Sequence, residues 1–458
     1  MPSGQGNILF LPHSQPSLRE FSLVVRALLD QGLGTPVLLD CYPQLDYCLL
    51  SQEAPVIVRV RANGDDFSAG METGPFSLRR VWQGLERRLF PWPRAAISAE
   101  INRLRVMHKQ AADIIDQYSP SALLLSSDRL YGWPQAFVAA ARDRSCPVLL
   151  LIFAVVGEDW FPRRNNPQLR TDMPPYRAYK KWLARRRPQQ VYNSPHGKLL
   201  FYHPERTVAL DRLHMLPAQP WTGEGSSADL ILASGENDRV EHIKRGIHPE
   251  KVIVTGLPSQ DHLYRASKQA SELRSRLTSE YNLEPDRKWI VCALPYHAKQ
   301  HHPRWESYWE EVNFLVGALA NTGANILLSL HPKTEPEACL ELESQFGINV
   351  LRQPMSEILP VADLLVASFS STVRWAVLMG IPTLVFDFYR QRFHTYDSFD
   401  GVITVEEKAE LPLQLQRLLN DEAFFHELCQ GQMKLAARMA PFDGDSTQRI
   451  VKLLSSYC

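Results

Sequence analysis

A chain of 458 residues and 52.2 kDa exceeds what one hydrophobic core usually serves, so two domains are expected. Apolar residues make up 45% and charged residues 22%, a globular balance that excludes a disordered, collagen-like or coiled-coil chain. The 50 basic and 50 acidic residues cancel, so no whole-molecule attraction to nucleic acid is indicated.

The pattern of elements runs from end to end as short apolar runs alternating with helical stretches. The chain opens on a strand at Ile8–Leu11, and no basic region with a long apolar core precedes it, so no signal peptide is expected. Further strands are predicted at Val37–Leu39, Val56–Val60, Ala122–Leu125 and Val148–Phe153. In the second half they fall at Leu230–Ala233, Val252–Thr255, Trp289–Ala293, Ile326–Leu330, Leu364–Ala367 and Thr383–Phe386. Continuous apolar strands are buried on both faces, which points to parallel sheets covered by helices, an α/β class. Between the halves, 161–225 is rich in Pro, Arg and aromatics and reads as an irregular insertion with the interdomain connection. The predicted division is therefore 1–225, 226–444, and a C-terminal helix (Asp445–Ser456) that crosses back onto the first domain. The architecture expected is two doubly wound, Rossmann-like domains with a cleft between them.

No apolar run reaches the roughly 20 residues of a membrane helix. Seven scattered cysteines, with no C-x-x-C pair, suggest neither a disulfide framework nor a zinc site, and a reduced, cytoplasmic compartment follows.

Ligands of open α/β sheets bind where strand C-termini feed helix N-termini, so candidate residues are sought there. In the first half, Leu123–Leu125 runs into Ser126-Ser127-Asp128-Arg129, which places Asp128 at a strand end as a base or nucleophile. Pairing with Arg129, or capping of a helix near Trp133, is the alternative use. The next strand ends in Glu158-Asp159, a second acidic pair, and His13 at the first strand end is a weaker candidate of the same kind. In the second half, Leu364–Ala367 empties into Ser368-Phe369-Ser370-Ser371-Thr372 ahead of a helical pattern. A helix start rich in hydroxyls and backbone N–H groups receives a phosphate well, whereas plain capping would need one serine. Ile326–Leu330 leads into His331-Pro332-Lys333, where the histidine can donate to a phosphate oxygen or a leaving group. Glu357, beside these segments, is placed to take ribose hydroxyls. His297, His301 and His302 lack a carboxylate or cysteine at metal spacing and are bracketed by Pro295 and Pro303, so no metal is expected.

His331-Pro332, then Glu357, then the Ser370-Ser371 helix start resembles the C-terminal domain of GT-B glycosyltransferases. The likeness is greatest to the group with His-Pro and serine motifs: bacterial sialyltransferases, β-Kdo transferases and, more loosely, polyglycerolphosphate transferases. Ala228–Glu236 and Lys251–Pro258 resemble the entry to that domain, and similar wording occurs in non-hydrolysing UDP-GlcNAc 2-epimerases. The resemblance covers about 228–410. It implies that His331, with Pro332 and Lys333, contacts the donor phosphate or leaving group. Glu357 would contact the ribose, and Ser368, Ser370, Ser371 and Thr372 the phosphate. Gly256 would permit close backbone approach. It departs from the pattern in lacking a glycine-rich loop at the first strand, where Leu11-Pro12-His13-Ser14 stands, and in lacking the acidic motif that supplies the base in sialyltransferases.

The activity so implied is transfer of a sugar from a nucleotide donor, with a CMP-activated Kdo or sialic acid preferred, to a surface glycan or glycolipid. The base would be Asp128 with Glu158 behind it, and no cofactor beyond the nucleotide-sugar substrate is required. A 2-epimerase-like enzyme or a polyol-phosphate transferase of the same fold is the alternative. Charge adds one more expectation. Eight Lys/Arg against two carboxylates lie in 79–109, and twelve against three in 160–212, interleaved with Trp and Tyr. Such stretches suit an anionic membrane surface or a phosphorylated acceptor, placing the protein in the cytoplasm or peripherally on the inner membrane face.

Overall fold

A computed structural model of the chain describes residues 6–50, 56–60, 93–153, 166–222, 224–294, 305–330, 337–368, 370, 372–388, 390, 396 and 399–458. Along β1 (Asn7–Leu11), Ile8 and Phe10 point into one buried cluster while Leu9 and Leu11 point into another. The same two-residue alternation recurs in β2 (Thr35–Asp40), β4 (Pro120–Leu125), β5 (Val148–Leu151) and β8 (Leu230–Ala233). Each strand therefore fills two cores, one on either face of the sheet, which is why the sequence runs are apolar without a break.

With β3 (Val56–Arg59) and β9 (Val252–Val254), these strands form one sheet in the order β3-β2-β1-β4-β5-β8-β9, parallel throughout. One face carries the helices Arg94–Tyr118, Trp133–Arg142 and Pro204–Arg212. The other carries Gln15–Gln31 and the C-terminal helix Ser446–Ser455, whose Ile450, Val451 and Leu454 are fully buried. Gln15–Gln31 starts on a reciprocal cap between Ser14 and Ser17 and stops at Gly32, which has φ +64°.

The chain divides into two compact units, Met1–Pro258 with Thr447–Cys458, and Ser259–Ser446. The boundary thus moves from 225/226 to Pro258. β8 and β9 continue the first sheet instead of opening the second, a pairing to β5 that local sequence does not encode. The segment 161–225 is also more regular than expected. Its described part holds the helix Arg177–Arg186, an antiparallel hairpin of β6 (Val191–Ser194) and β7 (Gly197–Leu200), and the helix Pro204–Arg212.

The second unit repeats the plan. β10 (Trp289–Ala293), β11 (Asn325–Ser329), β12 (Asn349–Val350), β13 (Leu364–Ala367), β14 (Thr383–Phe386) and β15 (Val402–Val405) form a parallel sheet ordered β12-β11-β10-β13-β14-β15. Ile290, Leu328, Val366 and Phe386 fill one core, and Trp289, Leu327, Leu365 and Val385 the other. Among the described helices none is long and apolar enough to cross a membrane.

Candidate active site

In both sheets the strand order reverses once, between β1 and β4 and between β10 and β13. At such a switch point the connections leave in opposite directions, so a notch opens at the strand C-termini. In the first unit that notch is flanked by Pro12-His13-Ser14 after β1 and Ser126-Ser127-Asp128-Arg129 after β4.

His13 and Ser126 meet there. The His13 backbone N–H donates to Ser17 Oγ at 3.1 Å and to Ser126 Oγ at 3.2 Å. Its Nδ1 lies 2.6 Å from Ser126 Oγ, and the Ser126 hydroxyl donates to the Leu11 carbonyl at 3.4 Å. Which partner donates across the 2.6 Å contact depends on the ring's tautomer; with the proton on Nδ1 the network is completed and Nε2 holds the lone pair. Phe153 lines the ring at a centroid distance of 5.8 Å. Burial pulls the His13 pKa down from 6.5 to about 4, so the ring is neutral near pH 7. A neutral imidazole with one free nitrogen at a strand end can accept a proton from a hydroxyl.

Asp128 has a different task. It is fully buried, and its carboxylate accepts the N–H groups of Gly225 at 2.9 Å, Ser227 at 2.7 Å and Ala228 at 3.1 Å. Both oxygens are spent on holding the turn that delivers the chain to β8. The expectation that Asp128 faces open space as a base or nucleophile is thereby corrected, and the helix from Trp133 has its N-cap at Gly132, not at Asp128. Arg129 instead pairs with Glu224, Nε to Oε1 at 2.7 Å. Glu224 also accepts from the Ser127 hydroxyl at 2.8 Å and the Asp128 N–H at 3.1 Å. Burial raises the Glu224 pKa to about 7, against the downward pull of Arg129 and Ser127. Tyr202 donates to the Arg129 carbonyl, and Gln135 donates to Tyr202 Oη at 2.7 Å, which closes the network from behind.

Sequence reasoning passed over Glu224 and Ser126. Glu224 lay in a segment taken as connection, and nothing local marks it. Ser126 was legible only with the strand order, since its value is that β4 lies beside β1.

In the second unit the end of β13 carries Ser368, Ser370 and Thr372. The Thr372 N–H and hydroxyl both donate to Ser370 Oγ, at 3.3 and 2.8 Å, and Tyr396 Oη donates to the Ser370 carbonyl at 2.8 Å. The helix that follows, Thr372–Leu378, is seven residues long. Glu357 sits half-buried in the short helix Met355–Ile358. Gly256 has φ +78° and its N–H donates to the Ala233 carbonyl at 3.2 Å, which places it in the first unit beside β8, not in the donor-side domain assigned from sequence. His331, Pro332, Lys333, Ser371, Glu158 and Asp159 lie outside the described residues, as do His297, His301 and His302. The described residues contain no group of His, Cys, Asp and Glu that could hold a metal.

The basic segment is partly neutralised. Arg170 pairs with Asp172 at 2.7 Å, Arg187 with Asp211 at 2.6 Å and Arg206 with Glu100 at 3.4 Å. Lys180 is buried and donates to the Gln168 carbonyl at 3.1 Å. Trp182 remains 42% exposed, stacked on Tyr179 and under Arg186.

A family model described as CDP-Glycerol:Poly(glycerophosphate) glycerophosphotransferase matches residues 179–455, well over half of the chain. No curated protein sequence matches it. Among solved structures, the wall teichoic acid polymerase TagF is similar over 98% of this chain and 89% of its own, with a TM-score of 0.53 at 13% identity. UDP-GlcNAc 2-epimerase from Neisseria meningitidis, bound to UDP-GlcNAc, gives 0.53 at 13% identity over 98% of this chain and all of its own. The S. aureus MnaA–UDP structure gives 0.52 at 15% identity over 99% and 97%. These likenesses establish the GT-B type of fold, as the sequence motifs implied.

Proposed function

The chain belongs to the CDP-glycerol:poly(glycerophosphate) glycerophosphotransferase family, and from that membership we propose that it moves a polyol phosphate from a cytidine diphosphate-activated donor to a hydroxyl of a glycan or polymer acceptor. The observation that carries this reading is the family match, which runs through both the β8–β9 region and the Ser370–Thr372 strand end. It displaces the CMP-Kdo or sialic acid donor preferred from sequence and favours the polyol-phosphate alternative. TagF, a wall teichoic acid polymerase whose structure has been determined after a soak in CDPG, is similar in fold and agrees with this reading. The likeness to 2-epimerases is one of fold and adds no competing activity.

In this reading an acceptor hydroxyl attacks the phosphorus that bears the polyol. The bond from that phosphorus to the bridging oxygen breaks, CMP leaves with the electron pair, and the acceptor proton passes to His13 Nε2. His13 supports the role of base through its neutral state, its free nitrogen and the Ser126 contact that fixes the ring. The donor contacts proposed are His331 with Pro332 and Lys333, Glu357 toward the ribose, and the hydroxyls of Ser368, Ser370, Ser371 and Thr372 toward phosphate. Glu158 is retained as a second proton acceptor. The test is CMP release from CDP-glycerol in the presence of a glycerol-phosphate primer, with thermal shift against CMP, CDP, UDP and GDP. Stabilisation by cytidine nucleotides and primer-dependent CMP release are expected. A shift with uridine nucleotides alone, and no CMP release, would overturn the reading.

A further inference from the structure

The hairpin and helix in the segment expected to be irregular border an open concavity of about 490 Å³ within the first unit. That volume lies in the range of about 300–1,000 Å³ typical of small-molecule sites. Its charged rim follows from two local geometries. On the helix Arg177–Arg186, Lys181 and Arg185 are four residues apart and so share one face. In the hairpin, Asn193 is registered directly against Lys198, so their side chains share one face of the ribbon. Helix face and ribbon face both line this concavity, together with Thr171, Ala184, Pro188 and Val191.

Three cations thus surround one concavity, and no carboxylate among the described residues pairs with any of them. The neighbouring arginines that do have partners, Arg170 and Arg187, are held by Asp172 and Asp211. Like charges a helical turn apart disfavour each other, and an anion between them removes that cost. Asn193 adds an amide that both donates to and accepts from hydroxyls. Among the described residues no aromatic ring lines the cavity, so they offer nothing there on which a nucleobase could stack. A phosphate-bearing chain with hydroxyls between the charges fits this lining.

We infer that the cavity of Lys181, Arg185, Asn193 and Lys198 is an exosite for the phosphodiester-linked polyol part of the acceptor, an assignment that rests on the transferase reading above for the nature of the acceptor. One such chain presents several phosphates to three cations at once. The chain segment that lines the site leads toward the β4 strand end: Gln190, next to the lining Val191, accepts through its carbonyl from Trp221 Nε1 at 3.0 Å, and Trp221 lies three residues before Glu224.

The test uses the full chain and a fluorescently labelled glycerol hexamer joined by phosphodiesters, titrated by anisotropy at low salt. The parent should bind the hexamer more tightly than inorganic phosphate competes for it. The Lys181→Ser/Arg185→Ser/Lys198→Ser variant should lose affinity roughly tenfold or more and show a shallower salt dependence. Lys181→Arg/Lys198→Arg should retain binding, and CDP-induced thermal shift should be the same in all three proteins. Equal hexamer affinity in parent and triple variant would overturn the inference. So would a triple variant that keeps the hexamer but no longer pellets with phosphatidylglycerol vesicles, which would assign the cations to a lipid surface. Hexamer binding without any cytidine-nucleotide binding would leave the exosite standing and remove the donor reading instead.

Discussion

Replacing Asp128 by Asn separates a structural carboxylate from a catalytic one. In the parent, Oδ1 accepts one N–H and Oδ2 accepts two, from Gly225, Ser227 and Ala228, all at 2.7–3.1 Å around a side chain with no exposed surface. Asparagine keeps one oxygen. If that oxygen takes the place of Oδ2, the new NH₂ faces the Gly225 N–H, donor against donor. If it takes the place of Oδ1, two N–H groups face the amide. Either way at least one buried donor is orphaned, which costs about 1–3 kcal/mol, and the surviving bonds lose their charge assistance. A loss of roughly 3 kcal/mol follows. For a unit of this size about 2 °C is lost per kcal/mol, so Tm should fall by roughly 6 °C. Hydrogen exchange should accelerate at Gly225, Ser227 and Ala228 before other amides of the unit. Differential scanning calorimetry with exchange measured by mass spectrometry reads both. A variant with parental Tm and protection but abolished transfer would refute the structural assignment and return Asp128 to the role of base.

His13→Gln should lower transfer at least about 100-fold while CDP binding is kept, measured by CMP release and thermal shift. In the parent, the acid limb of the rate profile should lie near the His13 pKa of about 4, not near 6.5. The stability of the first unit should also respond to pH in two opposed ways, read by denaturant unfolding. His13 has a lowered folded pKa, so its contribution is lost as pH falls from 6.5 toward 4, while Glu224, raised to about 7, loses its contribution as pH rises from 4.5 to 7. His13→Gln removes the first term, so relative to the parent it should gain stability as pH drops from 7 to 5; an unchanged difference would contradict the lowered His13 pKa. Gly225→Ala should cost about 2 kcal/mol or more in the same measurement, because φ is +97° and a Cβ there collides with Ile231.

Much of the fold was written locally. A strand buried on both faces needs an unbroken apolar run, so β1, β4, β10 and β13 could be read to within a residue or two, and the residues at their ends could be named before the sheets were known. His13 and Ser370 are legible for that reason. The hairpin β6–β7 was not, because Tyr192, Asn193 and Ser194 sit on a partly solvated ribbon with no apolar alternation to announce it. The boundary at Pro258 depends on β8 pairing with β5, a choice between sheets that the run Leu230–Ala233 would make equally well in either. The roles of Asp128 and Glu224 were decided entirely by tertiary structure. Their partners lie about a hundred residues apart in the chain, and a carboxylate at a strand end reads the same whether it is turned to a ligand or to three backbone N–H groups. Composition and periodicity report whether a position is inside; only the packed chain determines which hydrogen-bonding groups are brought to it, and that decides whether a charge there is free to react.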